Sequence, residues 1–216
     1  MQPRSAAPRP VRHRSHGLQT RAEIVAAAER HFAERGFEAT RLDDIATEVG
    51  IRRAAIFYYF PDKHELYAAV LDEVFGDWTA ALPTDGSPAE RIEASLVAWV
   101  EYVARRPSVA RLILREAATA QPGVVSQFVR AETAVEWLRE VIEEGVACGE
   151  MKPIIEPYRF MSLMGGVGVF HFAAMPWLTA HAGLHPSSAR ELEKHKREIL
   201  LVARTMLGIE ESRPCR

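Results

Sequence analysis

The stretch that decides the fold runs from Gly36 to Phe60, GFEATRLDDIATEVGIRRAAIFYYF. Thr40-Arg41-Leu42-Asp43 fits a capping box, in which a hydroxyl residue covers the first amides of a helix and an acid three positions on reaches back. The helix it opens turns Leu42, Ile45, Ala46 and Val49 to one side. Gly50-Ile51 then makes a turn, and Arg52 to Tyr59 forms a second short helix, stopped by Pro61. Short helix, glycine turn, short helix is the layout of a helix-turn-helix, here over residues 41–60. Ile56 and Phe60 share the inner face of the second helix, and Arg53, Ala54, Tyr58 and Tyr59 lie on the outer one. Adjacent aromatics beside arginines are unusual on a plain solvent face, where lysine and glutamate dominate. They suit a groove of double-stranded DNA, where arginine reaches guanine acceptors or phosphates and tyrosine meets phosphates and thymine methyls. The alternative is that Phe57, Tyr58 and Tyr59 fill a core.

Outward from this stretch the chain reads as helix throughout. Ile24, Ala28 and Phe32 form one stripe of a helix over about Thr20–Arg35 that Gly36 ends. Pro61 and Asp62 suit the start of a fourth helix running to about Trp78. After a loop at residues 83–88, helices are predicted over Ala89–Arg105 and Ser108–Ala120, bounded by Pro107 and Pro122. A long amphipathic helix follows from Val124 to near Gly149. Pro157 to about Leu178 is a helix without charge, and Ser187-Ser188 caps a last one ending at Gly208. In that last helix Leu192, Ile199 and Met206 recur every seven residues, the spacing of a helix-bundle seam. No run of alternating β-branched residues between turn signals suggests a sheet. The predicted fold is all-α, with about nine helices.

The 216 residues carry a net charge of -2, which by itself discourages a polyanion partner. Splitting the count reverses that impression. Residues 1–64 hold 11 basic and 8 acidic side chains, and the remainder holds 16 and 21. A mildly basic reader joined to an acidic body fits this asymmetry. Residues 1–17, with Arg9, Arg12 and Arg14 and three prolines, read as a disordered basic arm and have no apolar core of a signal peptide.

Residues 18–78 resemble the DNA-binding domain of the TetR (tetracycline repressor) family. The resemblance rests on Gly36-Phe37, Ala39-Thr40, Asp44-Ile45-Ala46, Val49-Gly50-Ile51, Ile56-Phe57-Tyr58-Tyr59-Phe60, Asp62-Lys63 and Leu66. It implies three N-terminal helices and a fourth leading to a larger domain, here residues 79–208 with a tail at 209–216. That domain would bind a small-molecule inducer and form homodimers, and the whole would repress transcription from a pseudo-palindromic operator. By position, the resemblance assigns DNA contacts to Thr40, Arg41, Arg52, Arg53, Ala54, Ala55, Tyr58, Tyr59 and Lys63. Two departures stand out. Arg41 occupies a position that is usually Ser or Thr, which strengthens a phosphate contact, and Phe57 lacks the hydroxyl of the usual Tyr. The arm lies in an adjacent minor groove or is a plain tail.

In the larger domain, Trp99, Tyr102, Phe128, Trp137, Met161, Met164, Phe170, His171 and Phe172 are candidate lining for an apolar ligand pocket, with core packing as the alternative. The helices around 160–178 and 188–207 are the expected homodimer surface. The uncharged helix is long enough to span a bilayer, but Gly165, Gly166, Gly168, His171 and Pro176 favour burial in a soluble protein. No nucleophile elbow, zinc-protease motif, Walker loop or dinucleotide fingerprint occurs. The expectation is therefore no catalytic residue, cofactor or metal. Cys148 reads as an inert buried thiol, with a redox sensor as the alternative, and two cysteines in all point to the cytoplasm. The function read from the sequence is a homodimeric repressor released by a small hydrophobic ligand. Left open are an activator, or an all-helical small-molecule-binding protein or enzyme without DNA affinity.

Overall fold

The computed structural model describes residues 12–119, 129–183 and 185–209. These form nine α-helices, with a 3-10 turn at Ala180–Ala182 and no strand among the described residues. The chain divides into two units, 1–70 and 71–216.

The first unit holds α1 (Arg12–Ala39), α2 (Leu42–Val49), α3 (Arg53–Tyr59) and the opening turns of α4 (Lys63–Ala80). Helix α1 starts at Arg12, so the last six residues of the expected arm are helical, and Arg9 lies outside the described residues. Gly36 interrupts α1 at φ 81°, a left-handed backbone that glycine adopts without a steric penalty. The seven residues of α3 are too few for an isolated helix to persist in water. Tertiary packing holds it: Ile56 and Phe60 are buried with Ile24, Phe32, Ile45 and Leu66. Each such side chain contributes roughly 1.5–3 kcal/mol when taken out of water.

The capping box at Thr40 does not form. Arg41 is the N-cap of α2 and makes no side-chain cap bond. Thr40 is buried in the bend after Gly36, and its hydroxyl donates to the carbonyls of His31 (3.1 Å) and Gly36 (2.7 Å). The start of α2 is served instead by Asp43 and Asp44 in its first turn, where carboxylates face the positive end of the helix dipole. Asp62 does cap α4, its Oδ1 accepting from the amides of His64 (2.8 Å) and Glu65 (3.0 Å).

The second unit holds the rest of α4 with α5 (Pro88–Arg105), α6 (Pro107–Thr119), α7 (Val129–Ala147), α8 (Pro157–Leu178) and α9 (Ala189–Leu207). The stretch from Val124 and the candidate Phe128 lie outside the described residues. A capping box absent from the sequence reading opens α5: Ser87 Oγ accepts from the amide of Glu90 (3.4 Å), and Glu90 Oε2 accepts from the amide of Ser87 (2.9 Å). Ser87 Oγ also donates to the buried carboxylate of Glu150 (2.7 Å). Helix α9 is tied to α5 by Arg204, bidentate on Glu93 (2.7 and 3.0 Å), and by Lys196 on Glu101 (2.5 Å).

Three expectations need correction. The inward stripe of α9 is His195, Ile199, Ala203 and Leu207, spaced by four, whereas Leu192 and Met206 are half-buried. Helix α8 is buried along one face only, through Phe160, Met164, Gly168, Val169 and Phe172. Its other face exposes Leu163, Val167, Phe170 and Trp177, because no described element of the chain covers it. It is the one described helix long and apolar enough to cross a membrane. Cys148 is exposed beyond the end of α7, which overturns the inert buried thiol; Cys215 lies outside the described residues.

His171 of α8 stacks on His195 of α9 with ring centroids 3.8 Å apart. Burial, with the neighbouring His171 adding to it, pushes His195 down to about 4. His171 is lowered as well, because burial outweighs the attraction of Glu198 and Glu191.

Two outcomes follow from this packing. Ser87→Ala removes both a cap and a partner of Glu150, and we expect a loss of about 1–2 kcal/mol in urea unfolding. His195 takes up a proton near its ordinary pKa of about 6.5 only in the unfolded chain. Stability is therefore full above that pH and falls as pH drops from about 6.5 toward about 4. His195→Leu should flatten this part of the profile in urea titrations run across that range.

Candidate functional site

The outer face of α3 is set by what its inner face must bury. With Ile56 and Phe60 pointing inward, Arg52, Arg53, Ala54, Phe57 and Tyr58 are exposed, Tyr58 at 84%. Ala55 and Tyr59 are half-buried, and the Tyr58 and Tyr59 rings meet edge to face at 5.0 Å. Arg41 and Arg52 are exposed and make no ion pair among the described residues, so both guanidinium groups are available to phosphates. Arg53 is held differently. Its Nη1 pairs with Asp43 Oδ2 at 3.2 Å, and its guanidinium lies 5.7 Å from the centroid of the Phe57 ring. Both partners of that ion pair are about half exposed, so the pair is weak and gives way to a stronger anion at little cost. Phe57 thus serves as a platform for Arg53, a role the missing hydroxyl does not impair.

Lys63 is half-buried, donates to the carbonyl of Glu38 (3.2 Å) and sits 4.5 Å from the centroid of the Phe37 ring. Its ammonium is positioned beside the end of α1 and keeps further N–H donors for a phosphate. Thr40 is different: its side chain is buried and its hydroxyl engaged, so it shapes the bend before α2 and offers no exposed side-chain contact. Behind the face, Arg30 and His31 converge on Glu48, and the Arg30 guanidinium holds the Glu48 carboxyl below its ordinary range. Arg35 pairs with Asp44. These pairs fix α1 against α2 and leave Arg41, Arg52 and Arg53 as the cations of the outer face.

The second unit contains a cavity of about 180 Å³ with an almost wholly apolar lining. Phe75, Trp78, Trp99, Ile113, Trp137, Leu138, Phe160, Met161, Met164 and Gly165 are among its walls. Trp99, Trp137, Met161 and Met164 are thus brought together as the sequence reading expected. Tyr102, Phe170, His171 and Phe172 are not. Tyr102 donates to the carbonyl of Val74 (2.9 Å), Phe170 is exposed, and His171 and Phe172 pack against His195. Phe75 and Trp78 were missed because α4 looked like a linker, and Ser95 and Leu96 because aliphatic and small residues carry no pocket signal. Among the described residues no cluster of His, Cys, Asp or Glu has the grouping of a metal site.

The family described as bacterial regulatory proteins, tetR family, matches residues 24–70, and the tetracyclin repressor-like C-terminal domain matches residues 88–202. The HTH-type transcriptional repressor KstR2 of Mycolicibacterium smegmatis is 29% identical over 158 residues, 68% of this chain and 76% of that protein. The HTH-type transcriptional regulator RutR of Escherichia coli K12 is 29% identical over 135 residues, 61% of this chain and 64% of its own length. The crystal structure of a bacterial regulatory protein in the tetR family from Rhodococcus RHA1 superposes with a TM-score of 0.73 at 20% identity, covering 89% of this chain and 99% of that one.

If the outer face of α3 reads DNA, the double variant Arg53→Ala with Tyr58→Ala should abolish the gel shift while leaving the thermal midpoint unchanged, since both side chains are exposed. Undiminished binding would contradict the assignment. Arg41→Ala should lower the slope of log K against log salt by about one, as expected for one lost phosphate contact.

Proposed function

From the premise that the chain belongs to the TetR family of bacterial regulatory proteins and is a DNA-binding transcriptional regulator, we propose that it works as a cytoplasmic homodimeric repressor released from its operator by a small apolar ligand. The observation that carries this reading is the outer face of α3, where Arg52, Arg53 and Tyr58 stand exposed on a short helix anchored by Ile56 and Phe60. An α-helix of this kind fits the major groove, with arginine reading guanine and its neighbours holding phosphates.

The dimer is supported by the uncovered apolar face of α8 with the exposed Leu201 and Val202 of α9. A patch of that character on a water-soluble chain marks an interaction surface. Two copies joined there present two α3 helices to successive major grooves, about 34–36 Å apart. The cavity of the second unit supports a ligand of apolar body. Such a ligand releases DNA by binding more tightly to a dimer whose spacing no longer matches the operator, which shifts the population away from the bound form.

Selection of bound fragments from genomic DNA should recover a pseudo-palindrome with half-sites about one helical turn, or a multiple, apart. In sedimentation runs the chain should be a dimer, and Val167→Asp with Phe170→Asp should convert it to a monomer with weakened operator binding. Recovery of a single asymmetric half-site by a monomer would contradict the proposal.

A further inference from the structure

Helix α2 carries three acidic side chains, and two of them serve α1: Asp44 pairs with Arg35, and Glu48 with Arg30. The third, Asp43, reaches the start of α3, where its Oδ2 accepts from Arg53 Nη1 at 3.2 Å. Among the described residues Arg53 is the one partner of that carboxylate, which is about half exposed. A carboxylate on a face that meets a polyanion weakens binding by like-charge repulsion. Its effect on Arg53 offsets that cost.

Asp43 is a fixed point, because α2 is anchored by the buried Leu42, Ile45 and Ala46. Arg53 is the longer, movable arm. Its Nη1 is taken by Asp43, and its guanidinium carbon lies 5.7 Å from the centroid of the Phe57 ring. The Nε–Nη2 edge makes no hydrogen bond or ion pair among the described residues, and that edge carries two parallel N–H donors. Two such donors match O6 and N7 of guanine, so guanine can be bound with the ion pair intact. A phosphate competes differently. As an anion it gains most from a guanidinium freed of Asp43, so it must first displace the carboxylate. Arg41 and Arg52 make no ion pair among the described residues and meet phosphate without that cost.

We propose that Asp43 is a specificity-determining positioning residue, which through its ion pair biases Arg53 toward a guanine edge and away from the phosphate backbone. The proposal rests on the reading of α3 as the helix that contacts DNA. The cations then divide the work. Arg41, Arg52 and Lys63 supply affinity for any sequence, and Arg53 supplies discrimination. Asp43 lowers affinity for every duplex, and lowers it least where a guanine meets Arg53.

Anisotropy titrations of the full chain test this, with the operator recovered from genomic DNA and a scrambled duplex of the same length at one salt concentration. Asp43→Asn keeps the shape of the side chain and removes its charge. The ratio of dissociation constants, scrambled over operator, should fall about fivefold, the upper range for an exposed ion pair. On the scrambled duplex the slope of log K against log salt should steepen by about one, as Arg53 takes up a phosphate. In the Arg53→Ala background Asp43→Asn should leave that slope unchanged. Loss of a repelling charge alone would strengthen both duplexes equally, and an unchanged ratio overturns the proposal. Arg53→Lys keeps the cation without the two-donor edge, and should lose operator preference while keeping its affinity for the scrambled duplex. Retained preference in that variant overturns the proposal even if Asp43→Asn fails to fold. A wild type that binds both duplexes alike removes the reading of α3 as well. Preference lost in Arg53→Ala but kept in full in Asp43→Asn removes the role of Asp43 alone.

Discussion

The constraint on which the DNA-reading unit depends is the burial of Ile56 and Phe60. A seven-residue helix gains too little from its own hydrogen bonds to persist, so α3 depends on the burial of these two side chains in a unit whose Ile24, Phe32, Ile45 and Leu66 are buried as well. Once they point inward, the helical repeat leaves Ala54 and Tyr58 on the opposite side, and Arg53 is exposed in the first turn. The exposed Tyr58 is therefore a consequence of the core, and the same packing that stabilises the helix orients its outer face. The ion pairs around it act at a second level. Asp43 and the Phe57 ring restrain Arg53 without fixing it, and Glu38 with Phe37 restrains Lys63. Such preordered but weakly held cations lose little on meeting a phosphate backbone.

In the second unit the corresponding constraint is the approach of α5 and α8 at Trp99 and Gly168. The indole occupies the space that any larger residue at 168 would claim, and its N–H is left without a partner. The charged ties from α9 to α5, Arg204 on Glu93 and Lys196 on Glu101, lie away from this apolar region. Polar groups thus hold the periphery, while the cavity wall stays nearly free of them.

Much of this was legible in the sequence where one residue type has one physical meaning. Gly36, Gly50 and Gly208 all take positive φ at the ends of regular helix, and Pro61, Pro107 and Pro157 all mark boundaries. Ile56 and Phe60 announced the inner face of α3. What depended on partners distant in sequence was not legible. Thr40 looked like a cap because its three-residue spacing to Asp43 is right, yet the bend at Gly36 turns its hydroxyl back onto α1. Ser87 carries the same signature in Ser87-Pro88-Ala89-Glu90 and does form the box. The aromatic candidates of the second unit divided by helix face, since Met164 and Phe170 differ by six residues, about 120° around α8, and one is buried while the other is exposed. Residue type alone could not separate a cavity wall from an uncovered surface.

In the proposed dimer, α3 reads the major groove as one half of a symmetric pair. Methylation protection at guanine N7, an acceptor on the major-groove edge, measures this directly on a selected operator. Two clusters of protected guanines about one helical turn apart, both lost with Arg53→Ala, are expected. Protection that is absent, confined to one cluster, or unchanged in that variant would contradict it.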